Sequence, residues 1–563
     1  MNSIHEKIRK QIETAVQKAI IKSISKGKLP QMDILPVMVE KPREESHGDF
    51  STNIAMQMAK QAKKAPVQIA CMIIDEIDPE NTYIVKVECA GPGFINFYLN
   101  NEWLYETLSL IDKKKECYGE VNIGSGERVM VEFVSANPTG PLHMGNARGG
   151  ALGDCIAGVL EKAGYDVTRE FYINDAGNQI EKFAVSLEAR YLQQLQGEDS
   201  VTFPEDGYQG EDIIDHVKEF ISEYGSALLT KPSEDRRRIL VEYALPKNIK
   251  RIQDGLSRYG IYYDVWFRES SLYHGEIDET ITLLKEQGYL IEKDGALWLS
   301  GEKTGMEKDE VLVRQNGHPT YMAADIAYHR NKFVTRGFHR VINLWGADHH
   351  GHVARMKAAM EAIGISKERL QVVIFQLVRL YRNGEIARMS KRTGRAISLD
   401  DLLDDVGVDA ARFFFNLKTS GSHLDFDLDL AVEQSNNNPV FYVQYAHARI
   451  CSILRKLEEE GIVGIPVDKV KMHMLVMPEE LLLMKKLADY PEEVALSAQT
   501  LEPSRLTRYV LDVAAGFHSF YNACRVKGEE EELLQARLLL VNSTRTVIKN
   551  VLDLIRINAP EKM

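Results

Sequence analysis

The sequence predicts an α/β protein: a doubly wound parallel-sheet (Rossmann-like) domain, preceded by a small α/β module and followed by an all-α helix bundle. Three observations predict it. Between about 118 and 395, apolar runs of strand length alternate with helical stretches, as in a parallel sheet covered by helices. One of those runs ends in a polar loop that opens directly into a helix, from about Met144 to Ala163. Beyond about residue 430 the strand signals vanish and long helical periodicities take over.

Taken in order, residues 1–112 begin with an amphipathic helical stretch and end in two strands, Tyr83 to Glu88 and Gly93 to Leu99. The turn signal Ala90-Gly91-Pro92-Gly93 separates them. In the region 118–395 the expected strands are Val129 to Val134, Val167 to Ile173, Val341 to Trp345 and Val372 to Val378. A parallel sheet of this kind holds its ligands beyond the strand C-termini. The stretch from about 185 to 255 is polar and helical and reads as an insertion, and 396–430 reads as a connector containing Asp409-Ala410-Ala411-Arg412. In 431–563, Asn438-Pro439 is a helix start with Asn as N-cap and Pro in the first turn, and Gly461 closes that helix. Two further helices are expected from about Pro503 to Val526 and from about Glu531 to Ile555. No internal repeat or low-complexity tract occurs.

Composition bounds the function. At 563 residues, 44% hydrophobic and 27% charged, the chain has the makeup of a soluble multidomain protein. No apolar run reaches the ~18 residues of a membrane span and the charged start lacks a signal-peptide core, so a cytoplasmic protein without membrane contact is expected. Cys71, Cys89, Cys117, Cys155, Cys451 and Cys524 form no Cys-x-x-Cys pair and are expected to be buried thiols, with neither disulfides nor zinc. The net charge of −13 argues mildly against a nucleic-acid partner, although phosphate contacts are local. From Arg379 to Arg395 there are six basic residues against one acid, Glu385.

The chemistry concentrates in two loops. The first, Ser135-Ala136-Asn137-Pro138-Thr139-Gly140-Pro141-Leu142-His143-Met144-Gly145-Asn146, aims a ring nitrogen and helix N-terminal amides at an anion. The second, Arg388-Met389-Ser390-Lys391-Arg392, adds a mobile cation suited to phosphates whose charge changes during reaction. A lone His-x-Gly would be a turn before a helix, and a basic loop alone a solvated surface. Together they point to ATP. Gly145, Gly149, Gly150 and Gly153 crowd the first helix; each costs a free helix roughly 1 kcal/mol relative to alanine, so packing or binding must offset them. Three histidines in Asp348-His349-His350-Gly351-His352 suggest zinc at first sight, but no further ligand pattern supports a metal.

The paired loops resemble the two signature motifs of class I aminoacyl-tRNA synthetases, and within that class the bacterial-type arginyl-tRNA synthetases. The likeness runs nearly end to end, through Glu132 to Asn137, Tyr172-Ile173-Asn174-Asp175-Ala176-Gly177-Asn178-Gln179, Tyr321 to Tyr328, Trp345 to His350, Asn438 to Arg449 and Ala559 to Met563. It implies an arginine–tRNA ligase that forms arginyl-adenylate from L-arginine and ATP, with Mg2+ entering with the ATP, and passes arginine to the terminal ribose of tRNA(Arg). It also implies a monomer whose arginine activation depends on bound tRNA. Two departures stand out: Asn146 where many members have a second histidine, and Arg388 and Arg392 in place of lysine and serine.

By that resemblance His143, Asn146 and Lys391 are catalytic, and ATP is held by Gly140, His143, Gly145, Asn146, His352, Met389, Ser390 and Lys391. Arginine falls to Glu132, Ser135, Asn137, Tyr321, Asp325 and His349; Asp325 and Tyr321, four apart on a helix, read the guanidinium. The N-terminal module meets the tRNA D-loop through Phe94 and Asn96, and the C-terminal bundle meets the anticodon loop through Tyr442, Arg449, Tyr521 and Met563. Other readings stay open. Tyr321 and the tRNA residues are also plausible packing, and Glu132 a structural ion-pair partner. Another class I synthetase, a small nucleotidyltransferase or a catalytically silent tRNA-binding paralogue are the rival functions. Missing zinc cysteines, the lack of room for an editing domain, the helical C-terminal domain and the joint presence of His143, Lys391, Asn137 and Asp325 count against them.

Overall fold

A computed structural model of the chain describes residues 3–42, 44–387 and 397–563. The N-terminal module carries an antiparallel sheet in which β3 (Phe94–Leu99) lies between β1 (Phe50–Thr52) and β2 (Ile84–Ala90). Its first helix, Ile4–Ser25, is capped by Ser3, whose hydroxyl accepts the Glu6 N–H, and buries Ile8, Ile12, Val16 and Ile20 along one stripe. That helix docks on the helix Pro478–Thr500 of the C-terminal bundle, with Arg9 and Lys41 paired to Glu492.

At the centre is a five-stranded parallel sheet in the order β11-β10-β4-β5-β6, from β4 (Arg128–Glu132), β5 (Asp166–Ile173), β6 (Val265–Arg268), β10 (Arg340–Gly346) and β11 (Leu370–Phe375). The chain leaves β4 towards β5 and β6 and returns on the opposite side to β10. The strand order therefore reverses between β4 and β10, where Glu132 pairs with Asn343, and a crevice opens at such a point. Between β6 and β10 an antiparallel sheet of β7 (Leu290–Lys293), β8 (Ala296–Leu299) and β9 (Glu310–Val313) intervenes. The insertion is helical as expected: Gly177–Gln196, Glu211–Tyr224 and Ser233–Arg258.

The helix Met144–Lys162 is nearly all buried, and its glycines explain why. A Cβ at Gly149 would stand 2.9 Å from Phe375, and one at Gly153 only 2.3 Å from Phe133, so these positions let the helix lie against the side chains of the sheet. Two buried arginines fasten it further. Arg148 donates to the carbonyls of Gln376, Thr419 and Ser422 at 2.6, 3.1 and 2.9 Å, and burial lowers its pKa to about 10. Arg412 pairs with Asp154 at 2.5 Å.

Two expectations need correction. The run Val372 to Val378 is two strands: β11 ends at Phe375, Gln376 turns its carbonyl to Arg148, and β12 (Val378–Arg382) joins another sheet with β13 (Glu385–Ile386) and β14 (Leu424–Asp427). Within the expected connector lie a helix, Leu399–Phe415, bent at Gly407 (φ 79°), and β14, which runs parallel to β12. Cysteine burial holds for Cys155, Cys451 and Cys524, whereas Cys71 and Cys117 are exposed and Cys89 half-buried; all six are free. The C-terminal bundle follows the expected helices closely, as Pro439–Glu459, Ser504–Ala523 and Glu531–Leu554, with Pro478–Thr500 in addition. Asn438 caps the first through Val440 N–H at 3.2 Å. Among the described residues no helix is long and apolar enough to cross a membrane.

Candidate active site

A cleft of about 1170 Å³ lies over the C-terminal ends of β4 and β10. The segment after β4 forms one wall and Asn343 to His349 the other, with Asp325, Tyr172, Tyr208 and Gln376 completing it. The chain leaves β4 through an unusual turn: Val134 (φ 69°) and Ser135 (φ 40°) both take left-handed backbone conformations, and Ser135 N–H donates to the Phe133 carbonyl at 3.0 Å. For a β-branched residue this costs of order 1–3 kcal/mol and persists only where the surroundings demand it. The turn swings Ser135 under the cleft. Its hydroxyl donates to Glu132 Oε1 at 2.9 Å and accepts the Tyr172 N–H at 3.2 Å.

His143 is the N-cap of the helix Met144–Lys162. Its Nδ1 accepts the Gly145 N–H at 3.1 Å, and Asn146 Oδ1 accepts the His143 N–H at 3.0 Å, so the two side chains close a reciprocal capping box. An Nδ1 that accepts carries no proton. The neutral ring then presents Nε2–H as a donor, and partial burial lowers the His143 pKa, against the opposing pull of Asp348. Asn146 thus has a job that no cationic second histidine could do in this form, since it must accept. Gly140 also lines the cleft, and a Cβ there would meet nothing.

Met389, Ser390, Lys391 and the departures Arg388 and Arg392 lie outside the described residues. The residues on their far side are tied to the first loop: Ser398 pairs with His143 as an antiparallel bridge, and Leu399 N–H donates to the Leu142 carbonyl at 2.8 Å.

At the other end of the cleft stands Asp325, on the helix Tyr321–Arg330. Its Oδ2 contacts His352 Nε2 at 3.0 Å, and His352, expected beside ATP, also lines the cleft. Trp345 stacks near that imidazole, with ring centres 5.4 Å apart. Tyr321 is 64% exposed and sits on the rim near His352 and Arg355 rather than in the cleft wall. Asn137 is exposed and lines the cleft, as does His349, which pairs with Asp348 at 3.6 Å.

Beneath this surface runs a buried polar network. Glu132 Oε2 binds Lys332 at 2.5 Å, Lys332 contacts Asn343 Oδ1 at 3.2 Å, and Asn343 Nδ2 meets His329 Nε2 at 2.9 Å. Lys332 is fully buried with its ammonium 4.0 Å from the Tyr328 ring centre, and it sits on a π-helical turn, Asn331–Thr335, that continues the Asp325 helix. Glu132 is thus an ion-pair partner as well as a cleft residue.

A second acid escaped sequence reasoning. Glu269 follows β6 directly and is 6% exposed. Its described partners are neutral: the Tyr172 hydroxyl, Asn174 Nδ2 at 3.0 Å and Tyr273 Oη at 3.4 Å. With no cation among them, burial prevails and raises its pKa to about 7, assisted by the charge of Asp325. The available signal was positional, an acid at the C-terminal end of a parallel strand.

The proposed tRNA residues fall in two places. Phe94 is 38% exposed at the start of β3, whereas Asn96 is buried between β1 and β2. In the bundle, the Arg449 guanidinium lies 4.4 Å over the Tyr521 ring, Tyr442 packs near His518, and Met563 is exposed. The chain end is tied to Pro439–Glu459 by His447 Nδ1 at 2.8 Å from the Pro560 carbonyl.

Comparison with known proteins agrees with this geometry. Residues 107–426 match the family described as "tRNA synthetases class I (R), catalytic domain", 6–99 match "Arginyl tRNA synthetase N terminal domain", and 443–563 match "DALR anticodon binding domain". The chain is 68% identical to the arginine–tRNA ligase of Acetivibrio thermocellus and 66% identical to that of Ruminiclostridium cellulolyticum, each over all of both chains. The arginyl-tRNA synthetase of Thermus thermophilus has the same fold at a TM-score of 0.73 and 24% identity, over 99% of this chain and 100% of that one.

Proposed function

The chain belongs to the arginyl-tRNA synthetases, and from that premise we propose how its residues share the ligation of arginine to tRNA. The arginine carboxylate attacks the α-phosphorus of ATP, the bond to pyrophosphate breaks, and arginyl-adenylate forms. A ribose hydroxyl at the tRNA terminus then attacks the arginyl carbonyl and AMP leaves. The protein supplies position and charge for both displacements.

At the nucleotide end, His143 donates through Nε2 to the phosphate oxygens, held to that task by the Gly145 and Asn146 hydrogen bonds. The amides of Gly145 and its neighbours face the same anion, and Lys391, with Met389 and Ser390 beside it, follows the negative charge onto pyrophosphate. Mg2+ would enter with ATP and neutralise phosphate charge; Asp348 is the cleft carboxylate whose field reaches His143. At the arginine end, Asp325 takes the guanidinium, with Glu269 as a second acid behind Tyr172 and Tyr321 closing from the rim. Asn137 and Ser135 hold the substrate's backbone groups, Glu132 sets Ser135, and His349 lies beside the amino-acid and adenosine sites. Residues 1–112 meet the D-loop of tRNA(Arg) through Phe94, and 431–563 meet its anticodon loop through Tyr442, Arg449, Tyr521 and Met563. The enzyme works as a cytoplasmic monomer.

The observation that carries this reading is Asp325, held by His352, in one cleft with the His143 cap, with Glu269 buried behind the cleft residues Tyr172 and Asn174. A desolvated guanidinium that loses its carboxylate costs about 3–5 kcal/mol. Asp325→Ala is expected to weaken arginine by roughly two to three and a half decades at ~1.4 kcal/mol per decade, with the ATP constant little changed. An arginine titration that matches the parent, in a folded variant, would remove Asp325 from recognition.

A further inference from the structure

Two of the six free thiols, Cys71 and Cys89, sit together on the N-terminal module. The helix Pro66–Ile74 buries Ile69, Ala70 and Ile73 and leaves Cys71 exposed. It packs along β2, whose last turn of chain holds half-buried Cys89. The turn that follows clamps strand and helix together: a Cβ on Gly93 would stand 2.7 Å from Pro66 Cβ. Helix start and strand end are therefore held against each other, and on the packed faces Cys71 lies close enough to Cys89 for the two thiols to interact. That neighbour and burial both push Cys89 up, burial more strongly. Neither thiol lines the cleft, and among the described residues the remaining cysteines have no thiol neighbour: Cys117 is exposed beside Glu120, and Cys155, Cys451 and Cys524 are buried.

We propose that Cys71 and Cys89 are a reversible thiol–disulfide site that takes a low-molecular-weight disulfide as oxidant. The exposed Cys71 thiolate attacks one sulfur of the oxidant, whose S–S bond breaks and releases the first small thiolate. The Cys89 thiolate then attacks Cys71 Sγ in the mixed disulfide, and the second small thiolate leaves. The protein loses two hydrogen atoms, the oxidant gains them as two thiols, and the chain closes a bridge from helix to β2. Attack and resolution need different thiols, and the pair supplies them: Cys71 meets solvent, whereas Cys89 is half-buried and holds its proton more firmly. The bridge staples the helix Pro66–Ile74 to the hairpin that carries Phe94.

The test treats the folded full chain with oxidised glutathione, quenches with acid, alkylates and maps the peptides by mass. The expected product is one internal Cys71–Cys89 bridge, with glutathione retained only on Cys117. Cys89→Ser should trap glutathione on Cys71, and dithiothreitol should restore both thiols in the parent chain. Retention of glutathione on both Cys71 and Cys89, or recovery of both as alkylated thiols after Cys117 has reacted, would overturn the proposal.

Discussion

Glu269 is predicted to make arginine binding proton-linked. Burial raises its carboxyl from 4.5 to about 7, so ionising it costs about 3 kcal/mol at ~1.4 kcal/mol per unit. The sign for the fold follows from which state holds the proton. Between pH 4.5 and 7 the native chain binds it and the unfolded chain does not, so this residue's contribution to stability falls as pH rises across that window and is constant above it. A bound guanidinium reverses the preference, because it favours the ionised carboxylate. If arginine binds the ionised form, about one eleventh of the protein is competent at pH 6 and about ten elevenths at pH 8, a gain in apparent affinity of roughly tenfold. Calorimetric titration of the full chain with arginine at pH 6, 7 and 8 measures this directly. Runs in buffers of different ionisation heat should report about half a proton released per arginine near pH 7. Glu269→Gln should flatten the profile and, at pH 8, weaken arginine by about one to two decades, the worth of a hydrogen bond to a charged group. A parent affinity that stays constant from pH 6 to 8, or a Gln variant that keeps the parent's slope, refutes the reasoning.

Two further outcomes are expected. His143→Ala and Lys391→Ala should lower the rate of adenylate formation far more than they raise the ATP Michaelis constant, because both act on charge that develops as pyrophosphate departs; an effect confined to that constant in single-turnover assays would contradict the role. Tyr521→Ala removes the ring that carries the Arg449 guanidinium and should raise the tRNA Michaelis constant by about one to two decades, given ~1–3 kcal/mol per stacked base, while arginine and ATP constants hold; unaltered aminoacylation would end the anticodon assignment.

What was legible in the sequence is what local chemistry encodes. The strand before His143 and the helix after it, the Asn438-Pro439 start and the Gly461 stop all follow from neighbours within a few residues, and the structure reproduces them. Asp325 was placed by the family resemblance, and the helical spacing from Tyr321 agrees with it. The misses are long-range. Lys332 reaches Glu132 across 200 residues from a π-helical turn that no propensity marks. Val372 to Val378 looks like one strand because nothing local announces that Arg148, more than two hundred residues earlier, takes the Gln376 carbonyl and bends the chain. Asn146 looked like a weakened histidine in the motif; only the capping geometry gives it a positive role. Glu269 opens a short polar turn, and its meaning comes from burial among neutral donors.

This cleft is predicted to select arginine and to activate it only when tRNA is bound. ATP–pyrophosphate exchange, run with each of the twenty amino acids with and without tRNA(Arg), tests it most directly. Label should enter ATP with arginine alone, and only when the tRNA is present. Exchange with another amino acid and none with arginine would contradict the account, and strong arginine exchange without tRNA would remove the dependence on tRNA while leaving the selection in place.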